Sequence, residues 1–234
     1  MPSPDVYEKE YVYWPWGEVI ERVSEWVASH VGHSARVLDY MCGTGYLLRK
    51  ISVRRPDLSL VGCDLNEEYV DYANSHPEKH WPEHCSFDHA DVLSYQPYRM
   101  PHVVLVTGGL HHLAPEDQPR LIAKIASELS DDGVFVLADE FITDFESEVQ
   151  RRLGVLELSN ALGRHVISNF AYDDVVRAVV QMMENDLFQQ GEYKTSRLKV
   201  VDMLEKKFRI ESCQQVWPRE ATYGDFIIIC RKRA

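Results

Sequence analysis

The segment Val37-Leu38-Asp39-Tyr40-Met41-Cys42-Gly43-Thr44-Gly45-Tyr46-Leu47-Leu48 constrains the fold of this chain most tightly. A short apolar run, Ala35–Tyr40, enters a Gly-x-Gly turn and leaves into a helix. The glycines allow a tight turn and let a ligand lie against bare backbone. A dinucleotide-binding loop needs a third glycine three residues on, where helix packs on strand. Here that position is Leu48. The loop also carries a carboxylate, Asp39, close to the strand end. A pyrophosphate does not favour a nearby anion, whereas an ammonium or sulfonium does. The loop therefore suits a cationic nucleoside.

The rest of the chain alternates helix and strand. Gly17–Val31 places Val19, Ile20, Val23, Trp26, Val27 and Val31 on one helical face. Leu58–Leu65 and Val103–Thr107 read as buried strands. Leu121, Ile122, Ile125 and Leu129 return to helical spacing, and a turn at Asp131-Asp132-Gly133 leads into the strand Val134–Ala138. Such alternation predicts a doubly wound α/β fold with a mostly parallel sheet. From Phe141 to Lys207 strand-like runs nearly vanish. One helical face there is Val175, Val176, Val179, Val180, Met183 and Leu187, and another is Leu198, Val201, Leu204 and Phe208. The chain closes with Arg209–Val216 and Phe226–Cys230, separated by turn formers, as an antiparallel pair.

With 25 basic and 37 acidic residues the net charge is −12, which opposes binding to phosphate backbones. The basic cluster Arg231-Lys232-Arg233 reads as a solvated tail. No apolar run reaches the ~18–20 residues that span a bilayer, and Met1–Glu10 lacks the apolar core of a secretory signal. The five cysteines are widely spaced with no C-x-x-C pair, consistent with reduced thiols in a cytoplasmic protein. His76, His80, His84, Cys85 and His89 invite a zinc reading, but Pro77 and Pro82 interrupt any helix through them, so no metal is expected.

Two further acids follow the strands. Asp64 lies 21 residues after Gly43, where an acid can take both hydroxyls of a ribose. Asp91 can accept a hydrogen bond from an exocyclic amine, with Leu65 and Val92 flanking the ring.

Together Val37–Leu47, Gly62–Ala73, Asp91-Val92, Val103–His112 and Pro115–Ala138 resemble the class I S-adenosylmethionine-dependent methyltransferases of small-molecule type. The resemblance implies a Rossmann-like sheet of seven strands with an antiparallel last strand. It implies that Asp39, Gly43 and Gly45 hold the methionine part of S-adenosylmethionine, Asp64 the ribose, and Asp91 and Val92 the adenine. It further implies one methyltransferase domain over residues 1–234, with 1–33 as an aromatic cover and 141–207 as a helical lid. The product of the cofactor would be S-adenosylhomocysteine.

Methyl transfer from a sulfonium is an in-line displacement in which the protein mainly aligns the acceptor and excludes water. The strand ending in Thr107-Gly108-Gly109-Leu110-His111-His112 should reach the ligand crevice, with Thr107 against the cofactor. His111 or His112 is a candidate base, or packs the loop. Asp139 and Glu140 follow their strand and should also face the crevice; Glu140 is a candidate base or cation ligand. Methyltransferases acting on nucleobase or glutamine amino groups often carry Asp or Asn, then Pro-Pro and an aromatic at this strand end, and this chain has none of these, which disfavours such a target. Tyr11, Tyr13 and Trp14 are expected to help close the pocket, and Arg152, Asn160, Arg164, His165 and Asn169 to be available to an acceptor. The expected reaction is O-, N- or C-methylation of a small molecule by a monomer or homodimer, with no nucleic-acid or membrane partner. A protein or tRNA methyltransferase, a non-catalytic cofactor-binding subunit and a nicotinamide dehydrogenase remain as rivals.

Overall fold

The computed structural model describes residues 2–75 and 81–233. Two helices, α1 (Pro4–Tyr13) and α2 (Trp16–His30), precede the first strand. β1 (Arg36–Tyr40), α3 (Tyr46–Arg54), β2 (Ser59–Asp64), α4 (Glu67–Ser75) and β3 (Cys85–His89) build one half of the sheet. β4 (Val103–Thr107), a 3-10 turn at Leu110–His112, α5 (Gln118–Glu128) and β5 (Val134–Phe141) extend the other half. Three helices follow, α6 (Glu148–Ser168), α7 (Asp173–Leu187) and α8 (Arg197–Glu205), and the chain ends in β6 (Phe208–Trp217) and β7 (Gly224–Lys232).

The seven strands lie in the order β3-β2-β1-β4-β5-β7-β6. β7 enters antiparallel between β5 and β6, and the pairs among β1 to β5 are parallel. This is the seven-stranded sheet with an antiparallel last strand expected above. Because side chains alternate across a strand, β1 feeds both faces. Val37 joins Val23, Val27 and Ile51 of α2 and α3, whereas Leu38 and Tyr40 join Ile122 and Ile125 of α5. The strand order runs outward from β1 to β3 on one side and from β4 to β5 on the other, and this switch between β1 and β4 opens a crevice at the carboxyl ends of the strands.

Three expectations need correction. β5 does not stop at Ala138: Asp139, Glu140 and Phe141 stay in the strand because Phe226, Asp225 and Gly224 of β7 pair with them. Asp139 and Glu140 are therefore buried within the strand. On α7 the buried face is Val175, Val179, Met182 and Asp186, and Val180 is exposed, because α1 and α6 both pack against that helix. On α8 the buried residues are Val200 and Leu204, while Leu198 is half exposed, since the helix meets the sheet beside α5 and β6. Among the described residues no helix is long and apolar enough to cross a membrane.

Candidate active site

The loop after β1 turns under unusual backbone geometry. Met41, Gly43 and Gly45 all take positive φ, at 61°, 53° and 73°. A long side chain in that region is strained, and Met41 is held there by two bonds to its strand neighbour. The amides of Met41 and Cys42 donate to the Cys63 carbonyl at 2.7 and 3.2 Å. Gly109 makes room for Met41: a Cβ on Gly109 would meet its Sδ at 2.5 Å. At Gly43 a Cβ would meet the Tyr7 ring at 3.0–3.4 Å, so α1 lies directly on the Gly-x-Gly loop.

Asp64 organises the same loop. Its Oδ2 accepts from the Gly43 amide and its Oδ1 from the Asn66 amide, both at 2.8 Å. Asp64, Leu65, Asp91 and Val92 then line a cavity of about 470 Å³ together with Gly43 and Gly108. A second cavity, about 580 Å³, lies beside it; Tyr7, Gly108, His112, Asn185 and Glu192 border both. Its walls include Tyr11, Trp14 and Trp16 from the N-terminal helices, Thr107 from β4 and Glu140 from β5.

The second cavity rests on a buried ionic network. Lys194, only 2% exposed, sits 2.8 Å from Glu192, 3.3 Å from Glu140 and 4.0 Å from Asp186. Burial pushes the Lys194 ammonium down, but these three carboxylates outweigh it and the net shift is upward. Burial raises Glu192, yet Lys194, His111 and His112 hold it at about 2. Trp16 donates its indole N–H to Glu140 Oε1 at 2.8 Å. Arg151 of α6 clamps Asp186 at 3.1 Å and so fixes α7 against α6.

His111 is buried between two acids. Its Nδ1 bonds Asp139, and its Nε2 lies 3.4 Å from Glu192. Burial disfavours its charge, but Asp139 and Glu192 prevail over burial and Lys194, so its pKa is raised. The imidazole is thus held between both acids. The His112 pKa is lowered by burial and by the neighbouring His111 ring. Its Nδ1 lies 3.1 Å from the Gly191 carbonyl. His111, His112 and Glu192 each place one potential ligand atom within 4.8 Å of the others. Lys194 and the Gly191 carbonyl supply partners to Glu192 and His112 in that cluster.

The expected site residues divide accordingly. Gly43, Asp64, Leu65, Asp91 and Val92 meet in the first cavity; Tyr11, Trp14, Thr107, His111 and Glu140 line the second, and His112 borders both. Thr107 thus faces the chamber beyond the expected cofactor cavity. Asp39 and Gly45 line neither of these cavities. Asp39 points with Val37 to the α2 side of the sheet and is buried with Oδ1 unpartnered, while Gly45 faces the Phe87 ring. Tyr13 also misses the cavities, because its place on α1 turns it outward onto Tyr172, at a centroid distance of 5.7 Å. Arg152, Asn160, Arg164, His165 and Asn169 line neither cavity; the insertion instead contributes Asp174, Arg177 and Gln181 of α7. Of the histidine-rich stretch, His76 and His80 lie outside the described residues, and His89 Nε2 lies 3.0 Å from the Leu65 carbonyl.

Sequence reading missed Glu10, Trp16, Glu192 and Lys194. For Glu10 a signal existed: Tyr7, Glu10, Tyr11 and Trp14 fall at helical spacing i, i+3, i+4, i+7 and share one face. For Glu192 and Lys194 none existed, since only the tertiary fold brings them beneath β5.

Residues 37–133 match the family described as a methyltransferase domain. The carboxy-S-adenosyl-L-methionine synthase of a Nitratiruptor species is 32% identical over 122 residues, 52% of this chain and 50% of that protein. The chain thus aligns with half the length of that relative. Among solved structures, the N-methyltransferase NodS from Bradyrhizobium japonicum WM9, in complex with S-adenosyl-L-homocysteine, superposes with a TM-score of 0.63. That match covers 94% of this chain and 89% of NodS at 15% identity. The 1,6-didemethyltoxoflavin-N1-methyltransferase of Burkholderia thailandensis gives 0.59 over 92% of this chain and 78% of that one, at 16% identity. At such identities the two structures speak for the fold. The matched region runs from β1 to the turn before β5 and carries the Gly-x-Gly loop, Asp64 and Asp91 within the seven-stranded sheet. Residues 37–133 thus carry a methyltransferase domain, and the chain shares the fold of methyltransferases solved with S-adenosylhomocysteine.

Proposed function

We propose that this protein is an S-adenosylmethionine-dependent methyltransferase acting on a small-molecule acceptor. The observation that carries this reading is the meeting of Asp64, Leu65, Asp91 and Val92 with Gly43 and Gly108 in one cavity that adjoins a second chamber. Asp64 holds the ribose hydroxyls, and its bond to the Gly43 amide ties that contact to the loop. Asp91, one oxygen of which accepts from the Leu93 amide, turns toward the adenine amine, with Leu65 and Val92 on the ring faces. When bound, the cofactor supplies an activated methyl group on a sulfonium. Asp39 lies behind the loop with Oδ1 unpartnered, and burial, with Asp64 beside it, pushes its carboxyl pKa well upward.

The second chamber is the acceptor site. Tyr11, Trp14 and Trp16 exclude water on the α1–α2 side, and α7 forms the opposite wall, so residues 1–33 and 141–207 act as cover and lid. Glu10, Glu140, Asp174 and Glu192 line this chamber and disfavour an RNA or DNA acceptor. They also disfavour a carboxylated cofactor, the product for which the Nitratiruptor relative is named, since it brings one more anion.

Calorimetric titration tests the reading. S-adenosylhomocysteine binds and NAD does not. Binding of NAD, or no binding of S-adenosylhomocysteine, overturns it.

A further inference from the structure

The acceptor chamber holds more acid than its bases can match. Glu10, Glu140 and Glu192 line it, with Asp139, Asp186 and Asp225 buried close behind. The buried basic groups there are Lys194, His111 and Arg151, each already paired with one or more of these acids, and the exposed Arg177 of α7 lines the chamber as well. At the rim Asp174 is paired with Lys9 at 2.9 Å. Glu10 is left over. Its side chain is 9% exposed and lines the chamber, and among the described residues its carboxylate has no hydrogen bond or ion pair. Two more polar atoms on the same walls are buried without a hydrogen-bond partner, Trp14 Nε1 and Thr107 Oγ1; Glu140 Oε2 has only the Lys194 ammonium at 3.3 Å. Buried polar groups are normally satisfied, so several orphans around one chamber mark the outline of a ligand. Against these acids the fitting ligand brings positive charge. Aromatic faces complete the enclosure, with Tyr7, Tyr11, Trp14 and Trp16 around Glu10 and Glu140. Such faces attract cations by their quadrupoles.

We propose that the acceptor is a small amine, bound as its ammonium ion against Glu10 and Glu140 inside this aromatic box, and that Glu10 takes the proton that frees the nitrogen lone pair. This rests on the methyltransferase reading given above. The ammonium gives one proton to the Glu10 carboxylate. The nitrogen lone pair forms the new N–C bond as the S–C bond of the donor breaks. The electrons of that bond stay on sulfur, giving neutral S-adenosylhomocysteine and an N-methylated ammonium. An alcohol brings no positive charge to favour the Glu10 carboxylate.

The free chamber stores the proton that such binding displaces. Burial raises Glu10 to about 8, and Glu140 and Glu192 push the same way. The facing charges are Glu140 from β5, Glu192 and Lys194 from the segment after α7, His111 from the 3-10 turn, and Asp174 and Arg177 from α7. At pH 7 the free protein therefore carries Glu10 mostly protonated, and an arriving ammonium expels that proton to solvent.

The test is calorimetry of the S-adenosylhomocysteine-saturated protein at pH 7, in two buffers of different ionisation enthalpy. The probes are benzylammonium and its neutral counterpart benzyl alcohol. Benzylammonium is expected to bind at least about tenfold more tightly and to release close to one proton. Glu10→Gln, with folding checked by its melting temperature, loses that preference and the proton release, and Glu10→Asp restores part of both. Equal affinity for the two probes, binding of neither, or unchanged proton release in E10Q overturns the proposal. So does release of the same proton by S-adenosylmethionine alone, which would assign Glu10 to the sulfonium. If S-adenosylhomocysteine itself fails to bind, the methyltransferase reading fails instead.

Discussion

The indole N–H of Trp16 meets Glu140 Oε1 at 2.8 Å, joining the start of α2 to the carboxyl end of β5 across 124 positions of sequence. Glu140 is 4% exposed, so this donor and the Lys194 ammonium are what keep its charge tolerable. Trp16→Phe keeps an aromatic ring but leaves the carboxylate short of a donor. Loss of a hydrogen bond to a buried charge, plus lost volume, costs about 2–4 kcal/mol. The melting temperature should fall by several degrees. In a double-mutant cycle with Glu140→Gln the two effects should be clearly less than additive.

Asp64 carries two duties, and its substitution separates them. Asp64→Asn keeps the shape but removes the charge that accepts from the Gly43 and Asn66 amides and would face the ribose. Hydrogen bonds to a charged group are worth about 1.5–3 kcal/mol, so S-adenosylhomocysteine affinity should fall roughly 10- to 100-fold by calorimetry. Affinity equal to that of the unmodified protein would mean that the ribose lies elsewhere.

That Gly43, Asp64, Leu65, Asp91 and Val92 meet in one cavity was legible in the sequence, whereas Asp39 and Gly45, expected with them, line neither cavity. Gly43, Asp64 and Asp91 each follow a strand, and strand ends in a parallel sheet share one edge by geometry. The acceptor half is not local. Asp139 and Glu140 looked like a strand end because nothing near them says that β7 will extend the pairing to Phe141. Lys194 lies in an irregular segment with no periodicity, and only packing against β5 brings it to Glu140. Tyr13 and Trp14 are adjacent in sequence but about 100° apart on a helix, so composition alone could not say that Trp14 faces the chamber and Tyr13 faces Tyr172.

Lys194 neutralises carboxylates that are largely buried. Lys194→Met should cost about 3–5 kcal/mol, because it leaves buried acids unpaired. Adding Glu192→Gln should recover part of that loss. Glu192 also gives the fold an acid limb. Its pKa is held at about 2 in the fold, against an ordinary value of 4.5. Its stabilisation is complete above pH 4.5 and is lost as the pH falls through 2, an amount on the order of 3 kcal/mol. Denaturant midpoints measured from pH 6 to pH 2 should fall more steeply in the unmodified protein than in E192Q.

Glu10 works in the opposite direction. Its pKa rises from 4.5 to about 8 on folding, through burial first and the charges of Glu140 and Glu192 second. The folded state therefore holds this proton more tightly than the unfolded chain. Below pH 4.5 both states carry it and Glu10 costs nothing. Between 4.5 and 8 stability declines as the unfolded chain releases the proton first, and above 8 the penalty is complete. Glu10→Gln cannot ionise, so without ligand it should be more stable than the unmodified protein at pH 9, and the two should converge near pH 4.5. Melting temperatures across that range measure the difference. A saturating cationic ligand should close the gap at pH 9, because it pairs with the Glu10 carboxylate and leaves the amide of the variant unpaired. If E10Q is instead less stable than the unmodified protein at pH 9, Glu10 is already paired in the free fold and the chamber has no surplus charge to offer an amine.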